Sequence, residues 1–149
     1  MNKITAQEVI DKLGLIPHIE GGFYKETYRS EETILHNALP ARYNGDRRFG
    51  TAIYFLLRSG EQHKVHRLKS DEIWHYYLGS PLAIKFFENE AVASEFTLGS
   101  DIAAGQVPQL LIPKHSWMVA SVIDADSYTL VGCTTAPGFE FDDFEIAGE

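Results

Sequence analysis

Short β-rich runs recur along most of this chain, and their regular spacing is the feature that most limits its fold. Gly, Pro, Asn and Asp residues separate eight runs that are rich in aromatic and β-branched side chains: 23–29, 51–57, 72–78, 82–87, 93–98, 109–112, 117–123 and 128–133. Many short strands at nearly even spacing are typical of an antiparallel sandwich or barrel. We therefore predict a mainly β, single-domain protein over residues 1–149, because no repeat or linker marks a second domain.

The two ends of the chain carry different signals. Thr5 and Glu8 have the T-x-x-E spacing of a capping box, and Gly14 supplies a left-handed stop. These residues predict a short N-terminal helix over residues 5–13, which is too short to be stable without a larger body beneath it. Residues 140–149 form an acidic C-terminal tail with interleaved phenylalanines. We expect these aromatic side chains to pin the tail to the barrel or to a partner subunit, with the acids outside.

The overall charge and the absence of certain patterns exclude several classes of protein. With 13 Lys and Arg against 21 Asp and Glu, the formal net charge is −8, which argues against nucleic acid or an anionic membrane as a general partner. The longest apolar run, residues 52–57, is far too short to span a bilayer. No signal-peptide pattern is found at the start, and the single cysteine, Cys133, cannot form an intrachain disulfide. We expect a cytoplasmic protein.

The charge is unevenly spread along the chain. Residues 1–70 carry a net +3, whereas residues 71–149 carry a net −11. Lys64, Arg67 and Lys69 lie in the densest polar stretch, residues 60–75, which also holds three of the six histidines. This pattern predicts a locally basic site on an acidic protein, compatible with a small anionic ligand.

The polar stretch has the spacing Gly60-x5-His66-x-Leu68-x3-Glu72-x6-Gly79. It resembles the first motif of the cupin superfamily at both glycines, at His66 and at Glu72, but Leu68 replaces the second histidine of that motif. The second cupin motif is matched less well. Pro113 fits its proline, and Met118 occupies the position of its histidine.

The chain as a whole resembles one uncharacterised cupin family, cupin 5 or DUF985. The segments that carry this resemblance are 18–23, 26–30, 66–75, Pro113 with Trp117, and 136–145. The resemblance implies a jelly-roll β-barrel that forms a homodimer and has a ligand cavity in its mouth. It brings no established reaction with it, because a fold leaves function to the site.

Alternate residues of a strand point to the same face, so Glu72, Trp74 and Tyr76 are expected to face the cavity together. The sequence also resembles, in fold, the jelly-roll epimerases of nucleotide-linked deoxysugars, which use a His base, a carboxylate that orients it and a Tyr acid. That resemblance implies these catalytic roles for His66, Glu72 and Tyr76. The alternative is that His66 and Glu72 form only a buried structural hydrogen bond.

Six further residues are candidates for ligand binding: Trp74, Trp117, Arg29, Arg67, Glu26 and Tyr28. Arg29 and Arg67, together with Lys64 and Lys69, have the charge needed to meet phosphate groups. Glu26 and Tyr28 share one face of the predicted strand, where they either line the pocket or pack across the sheet.

A catalytic first-row metal needs about three protein ligands, and the sequence offers His66 and Glu72. His63 completes the set His63, His66 and Glu72 only if a bulge or loop reorients it, because positions 63 and 66 face opposite sides of a straight strand. We therefore expect no cofactor but keep a divalent metal possible.

Three functions follow from these residues, each acting on a small polar or anionic metabolite. The first is a metal-independent sugar or nucleotide-sugar epimerase or isomerase that uses a His–Glu pair. The second is a metal-dependent cupin enzyme, either an isomerase or a dioxygenase. The third is a non-catalytic ligand-binding or storage-like cupin.

Overall fold

Two antiparallel β-sheets form most of the computed structural model, which describes residues 3–149. The strands are β1 Ile16–Pro17, β2 Phe23–Arg29, β3 Thr33–Ile34, β4 Arg47–Arg48, β5 Thr51–Arg58, β6 His66–Arg67, β7 Asp71–Gly79, β8 Leu82–Glu88, β9 Ala91–Leu98, β10 Gln109–Ile112, β11 Trp117–Val122, β12 Tyr128–Ala136 and β13 Glu145–Ile146. One α-helix, α1, spans Ala6–Leu13, and three 3₁₀ turns cover His36–Ala38, Ile102–Ala104 and Phe141–Asp143. Each of the eight predicted runs overlaps one strand.

The larger sheet has the strand order β1-β2-β5-β12-β7-β10, and the smaller one has the order β13-β6-β11-β8-β9. Their inner faces share one hydrophobic core, in which Phe55 and Val131 of the larger sheet meet Ile84 and Met118 of the smaller. Two facing antiparallel sheets are consistent with a jelly roll, so the predicted mainly β fold is confirmed. Strands β3 and β4 form a separate pair.

The predicted N-terminal helix is also confirmed. The Thr5 hydroxyl accepts a hydrogen bond from the Glu8 amide, and Gly14 ends α1 at a φ of 67°. The buried side chains of the helix pack on Leu56 and Leu130, on the outer face of the larger sheet. Strand β5 is therefore covered on both faces, which explains the unbroken apolar run 52–57. No helix within residues 3–149 is both long enough and apolar enough to cross a membrane.

Residues 139–146, which we call the closing segment, fold back onto the sheets. Strand β13 pairs with β6, and Asp143 is buried with its carboxylate against the Arg47 guanidinium. The expectation that the acids of this region all lie outside is therefore wrong for Asp143. The physical reason is that Arg47 supplies two charge-assisted hydrogen bonds, which offset the cost of burying the carboxylate.

Candidate functional site

A cavity of about 240 Å³ lies against the inner face of the larger sheet, between that sheet and the closing segment. Strands β2, β5, β7 and β12 provide its floor: Tyr24, Glu26, Arg29, Thr51, Ile53, Glu72, Trp74, Cys133 and Thr135. Loops, strand β6 and the closing segment provide its walls: His18, Glu20, His66, Leu68, Phe139, Glu140, Phe141 and Phe144. The lining thus combines aromatic surfaces with four carboxyl groups.

Glu20 reaches the cavity because two loops pack backbone against backbone. The Lys64 amide donates to the Glu20 carbonyl oxygen at 2.7 Å, and Gly21 lies so close that a Cβ there would overlap the Gln62 carbonyl oxygen. Gly21 also has a φ of 104°, a conformation that side chains of L-residues rarely adopt. Glycine at this position therefore allows the Glu20 carboxylate to meet the histidines of residues 61–66.

His66 forms a buried ion pair with Glu20. Its Nδ1 lies 2.9 Å from the Lys64 carbonyl oxygen, which can only accept, so Nδ1 carries a proton. Its Nε2 lies 2.9 Å from Glu20 Oε2. Burial lowers the pKa of His66, but the Glu20 carboxylate, the Lys64 carbonyl oxygen and Glu72 together outweigh burial and raise that pKa to about 9. Burial raises the pKa of Glu20, but His66 and His63 outweigh burial and hold that pKa well below its ordinary value.

His63 is held in the opposite tautomer. Its Nδ1 accepts a hydrogen bond of 2.8 Å from the Ala120 amide, so this nitrogen must keep its lone pair free of a proton. The proton of the neutral ring therefore lies on Nε2, which is 3.4 Å from Glu20 Oε2. Both His63 Nε2 and Glu20 Oε2 are buried without a well-aligned hydrogen bond, although His66 Nε2 is close to the carboxylate.

Glu20, His63 and His66 have ligand atoms within 4.8 Å of one another, so a divalent metal is possible by distance. The tautomers argue against a three-ligand centre. A neutral imidazole has one free lone pair, and the Ala120 amide already occupies that of His63. Only Glu20 and His66 remain, fewer than the three protein ligands of a typical catalytic site. The residues in this arrangement therefore do not fit a cupin-type metal centre.

The metal set expected from the sequence contained Glu72 rather than Glu20. Glu72 lies outside the Glu20–His63–His66 cluster, and its Oε1 accepts a hydrogen bond of 2.6 Å from Trp74 Nε1. From the sequence, a bulge or loop is needed to turn His63 toward His66. His63 does lie in a loop, because residues 61–65 have no regular secondary structure.

Glu72 is buried in the cavity floor, with 8% of its surface exposed. Burial raises its pKa to about 7, although the Trp74 hydrogen bond acts in the opposite direction. Thr135 Oγ1 lies 3.5 Å from the other carboxyl oxygen. A carboxyl group with this pKa exists in both protonation states near neutral pH, which is the requirement for general acid–base chemistry.

The structure brings five of the predicted site residues together at the cavity: His66, Glu72, Trp74, Glu26 and Arg29. It does not pair His66 with Glu72 by a hydrogen bond. The carboxylate next to His66 Nε2 is that of Glu20, which the sequence had not singled out for a role.

Five predicted residues lie outside the cavity lining: His63, Tyr76, Tyr28, Trp117 and Arg67. The Tyr76 hydroxyl donates to the Gly79 carbonyl oxygen at 2.6 Å. The Arg67 guanidinium lies over the Trp117 ring at 4.3 Å, and its Nε is 2.7 Å from Glu145.

A register shift in β2 changes which residues share a face. Glu26 pairs with Ile53 and Tyr28 with the adjacent Ala52, so a bulge between Glu26 and Tyr28 breaks the alternation. Arg29 therefore shares the inner face with Glu26, while Tyr28 turns outward and is exposed. The expectation that Glu26 and Tyr28 share a face is wrong for this reason.

Sequence reasoning missed Glu20, His18 and the contribution of the closing segment to the walls. His18 Nδ1 accepts a hydrogen bond from the Glu20 amide at 3.0 Å, and burial lowers the pKa of His18, although Glu20 partly opposes that shift. The available signal was the segment 18–23, where two titratable residues precede the pair Gly21-Gly22.

Comparison with known proteins adds the family. The family model described as "Cupin superfamily (DUF985)" matches residues 7–147. A solved structure of a hypothetical protein from Leishmania major has a TM-score of 0.84 and 31% identity, covering 95% of this chain and 86% of that one. Protein SO0799 from Shewanella oneidensis has a TM-score of 0.83 and 40% identity, covering 97% and 85% respectively. The uncharacterised protein YML079W from Saccharomyces cerevisiae is 29% identical over 149 residues, covering 93% of this chain and 73% of the yeast protein.

Proposed function

This chain belongs to the DUF985 family of the cupin superfamily, and from that premise we propose that it is a metal-independent isomerase- or epimerase-like enzyme acting on a small hydroxylated metabolite. The observation that carries the proposal is Glu72. It is a buried carboxyl group in the cavity floor whose pKa is about 7, and it lines the same cavity as the charged His66–Glu20 pair. Titratable groups with opposed environments in one cleft are enriched at catalytic sites.

In this proposal the ionised Glu72 carboxylate removes a proton from a carbon next to a carbonyl or potential carbonyl group. Negative charge then develops on the substrate oxygen, and the positive charge of the His66 imidazolium stabilises it. Both N–H groups of that ring already point at the Lys64 carbonyl oxygen and at Glu20 Oε2, so the stabilisation comes from charge rather than from a new hydrogen bond. Glu72 then returns the proton to the neighbouring carbon, and the hydroxyl proton on that carbon's oxygen passes to the oxygen that carried the negative charge, which completes the isomerisation. Glu20 positions His66 and keeps it cationic, because the buried carboxylate raises the pKa of the imidazole. Tyr76 has no part in this scheme, since its hydroxyl is bonded to Gly79.

The size of the cavity supports a small substrate. Pockets that enclose drug-sized ligands have volumes of about 300–1,000 Å³, and this cavity measures about 240 Å³. Its dimensions suit a molecule of the size of a monosaccharide better than an enclosed nucleotide-linked sugar.

One observation favours the metal-dependent alternative: the close approach of ligand atoms in the Glu20–His63–His66 cluster. Titration of chelator-treated protein with Zn²⁺ or Mn²⁺, followed by calorimetry, separates the two functions. We expect no stoichiometric binding, because the Ala120 amide holds the His63 lone pair. Stoichiometric binding that disappears in Glu20→Gln but persists in Glu26→Gln would instead support a metal enzyme.

The proposed proton transfer is tested by solvent exchange. The protein is incubated in D₂O with a panel of aldoses, ketoses and amino sugars, and ¹H NMR follows deuterium incorporation at the carbon next to the carbonyl group. We expect exchange with the wild type and a loss of at least about a hundredfold in Glu72→Gln, the size typical of general acid–base catalysis. Glu145→Gln is the matched control, because Glu145 pairs with Arg67 outside the cavity. A panel member that binds without exchange would favour the non-catalytic ligand-binding function.

A further inference from the structure

The cavity lining is acidic rather than basic. It holds four carboxyl groups, from Glu20, Glu26, Glu72 and Glu140, against one guanidinium and one imidazolium. Three of the four cations expected to receive an anionic ligand do not line the cavity: Lys64, Arg67 and Lys69. Arg67 is paired with Glu145, and Lys64 Nζ is 3.7 Å from Glu149. An anion entering this cavity would therefore meet an excess of negative charge.

The guanidinium of the lining is already occupied. Arg29 bonds both carboxylate oxygens of Glu26 at 2.7 and 2.9 Å, Glu140 at 2.9 Å and the Phe139 carbonyl oxygen at 2.9 Å. These contacts use four of its five N–H donors. A phosphate or carboxylate ligand would have to break them to gain a comparable ion pair, so Arg29 offers an anion little net gain.

One acceptor oxygen of the lining, in contrast, remains free. Glu140 uses Oε1 for Arg29, and its Oε2 makes no hydrogen bond within residues 3–149. At the buried end, Glu20 Oε2 lacks a well-aligned hydrogen bond, but it is buried and already faces His66 Nε2 at 2.9 Å. A ligand that carries N–H donors therefore finds a free carboxylate oxygen in the closing segment.

Aromatic surfaces lie beside this acceptor. The closing segment contributes Phe139, Phe141 and Phe144, and the floor contributes Tyr24 and Trp74. Phe141 lies between the other two phenylalanines, with ring centroids 5.0 Å from Phe139 and 6.4 Å from Phe144. The faces of aromatic rings attract organic cations, and a nearby carboxylate adds a charge pair.

We propose that the ligand of this cavity is a small organic cation, a hydroxylated molecule bearing an amine whose ammonium group meets Glu140 and the phenylalanines of the closing segment. The inference rests on the proposed function, since it names the substrate class of the same cavity. Within that function the substrate class is an amino sugar, which carries both an ammonium group and a potential carbonyl group, and a phosphorylated or acidic sugar is not a substrate.

The test compares hydroxylated ligands of similar size that carry a positive, a zero or a negative charge. Binding of glucosamine, glucose and glucuronate, and of serinol, glycerol and glycerate, is measured by ligand-observed NMR, which needs no turnover. In each trio we expect the amine to bind about tenfold more tightly than the neutral member, since an exposed cation–π contact and an ion pair each contribute modestly. We expect the acid to bind most weakly.

Two variants locate the ammonium group. Glu140→Gln is expected to lower the affinity for the amine by about tenfold, so that the amine no longer binds more tightly than the neutral member. Asp142→Asn is the matched control, because it removes the same charge from the same segment but does not line the cavity. Equal or tighter binding of the neutral or acidic members, or no binding by either amine, overturns the proposal. Preferential amine binding without any solvent exchange preserves this inference and contradicts the proposed enzyme function.

Discussion

Asp143 and Arg47, which are 96 positions apart in the chain, form a bidentate ion pair with hydrogen bonds of 2.8 and 2.6 Å. Both side chains are 3% exposed. Arg47 also donates to Asn44 Oδ1 and to the Asp46 carbonyl oxygen, so the guanidinium is held rigidly by its own loop. Because Asp143 belongs to the closing segment, this pair fixes the wall that contributes Phe141 and Phe144 to the cavity.

Removing one partner of this pair is expected to destabilise the protein. Asp143→Ala leaves the Arg47 guanidinium buried without its carboxylate, and breaking a buried pair in this way costs about 3–5 kcal/mol. Urea unfolding measures the loss, with Asp142→Asn as a control that we expect to change the free energy of unfolding by less than about 0.5 kcal/mol. A loss below about 1 kcal/mol for Asp143→Ala would show that the pair does not hold the segment.

Glu72 makes stability depend on pH. Its pKa is raised by burial from 4.5 to about 7, so between these values the folded protein binds more protons than the unfolded chain. The free energy of unfolding therefore falls as the pH rises through this window, by about 3 kcal/mol in total from this group. Urea unfolding measures the free energy of unfolding at pH 5 and at pH 8. We expect the difference between these two values to be smaller by about 3 kcal/mol in Glu72→Gln than in the wild type. An unchanged pH dependence in the variant would contradict the raised pKa.

The Glu20–His66 pair predicts a titration that depends on one carboxylate. In the wild type the pKa of His66 is raised, so the stability from its protonation is present below pH 6.5 and is lost as the pH rises through the folded-state pKa. Glu20→Gln removes the negative charge that does most to offset the effect of burial on the pKa of His66. We therefore expect that pKa to fall below its ordinary value in the variant. NMR titration of the histidine ring measures this change. Glu26→Gln serves as the control. An equal fall in the pKa of His66 in that variant would mean that the loss of any nearby negative charge, rather than of Glu20 itself, lowers the pKa.

Gly21 is predicted to be intolerant of substitution. Gly21→Ala puts a Cβ against the Gln62 carbonyl oxygen at a φ of 104°, so the loop that carries Glu20 must move. We expect a loss of about 2–3 kcal/mol in the free energy of unfolding, together with weaker ligand binding. Gly60→Ala is the control, because its φ of 74° is also positive but no atom lies within 4 Å of the added Cβ. Its loss, expected at about 1–2 kcal/mol, reflects backbone strain alone. Equal losses in the two variants would argue against the close packing at Gly21.

The sequence by itself determined the features that depend on local chemistry. The T-x-x-E box and Gly14 predicted α1, and runs rich in aromatic and β-branched residues, separated by turn residues, predicted the eight main strands. The spacing of His66 and Glu72 pointed to the cupin family and to two residues that line the cavity. These signals act over a few residues, where backbone geometry fixes which side chains are neighbours.

Only the tertiary structure decided how the site is completed. Glu20 meets His66 through contact between two loops that are more than forty residues apart, and the Ala120 amide selects the tautomer of His63 from another strand. The bulge after Glu26 places Arg29 rather than Tyr28 on the inner face of the sheet. The ion pair with Arg47 allows Asp143 to be buried. Alternation predicts a face only along a regular strand. Loop packing, bulges and buried ion pairs depend on long-range contacts, which no local pattern specifies.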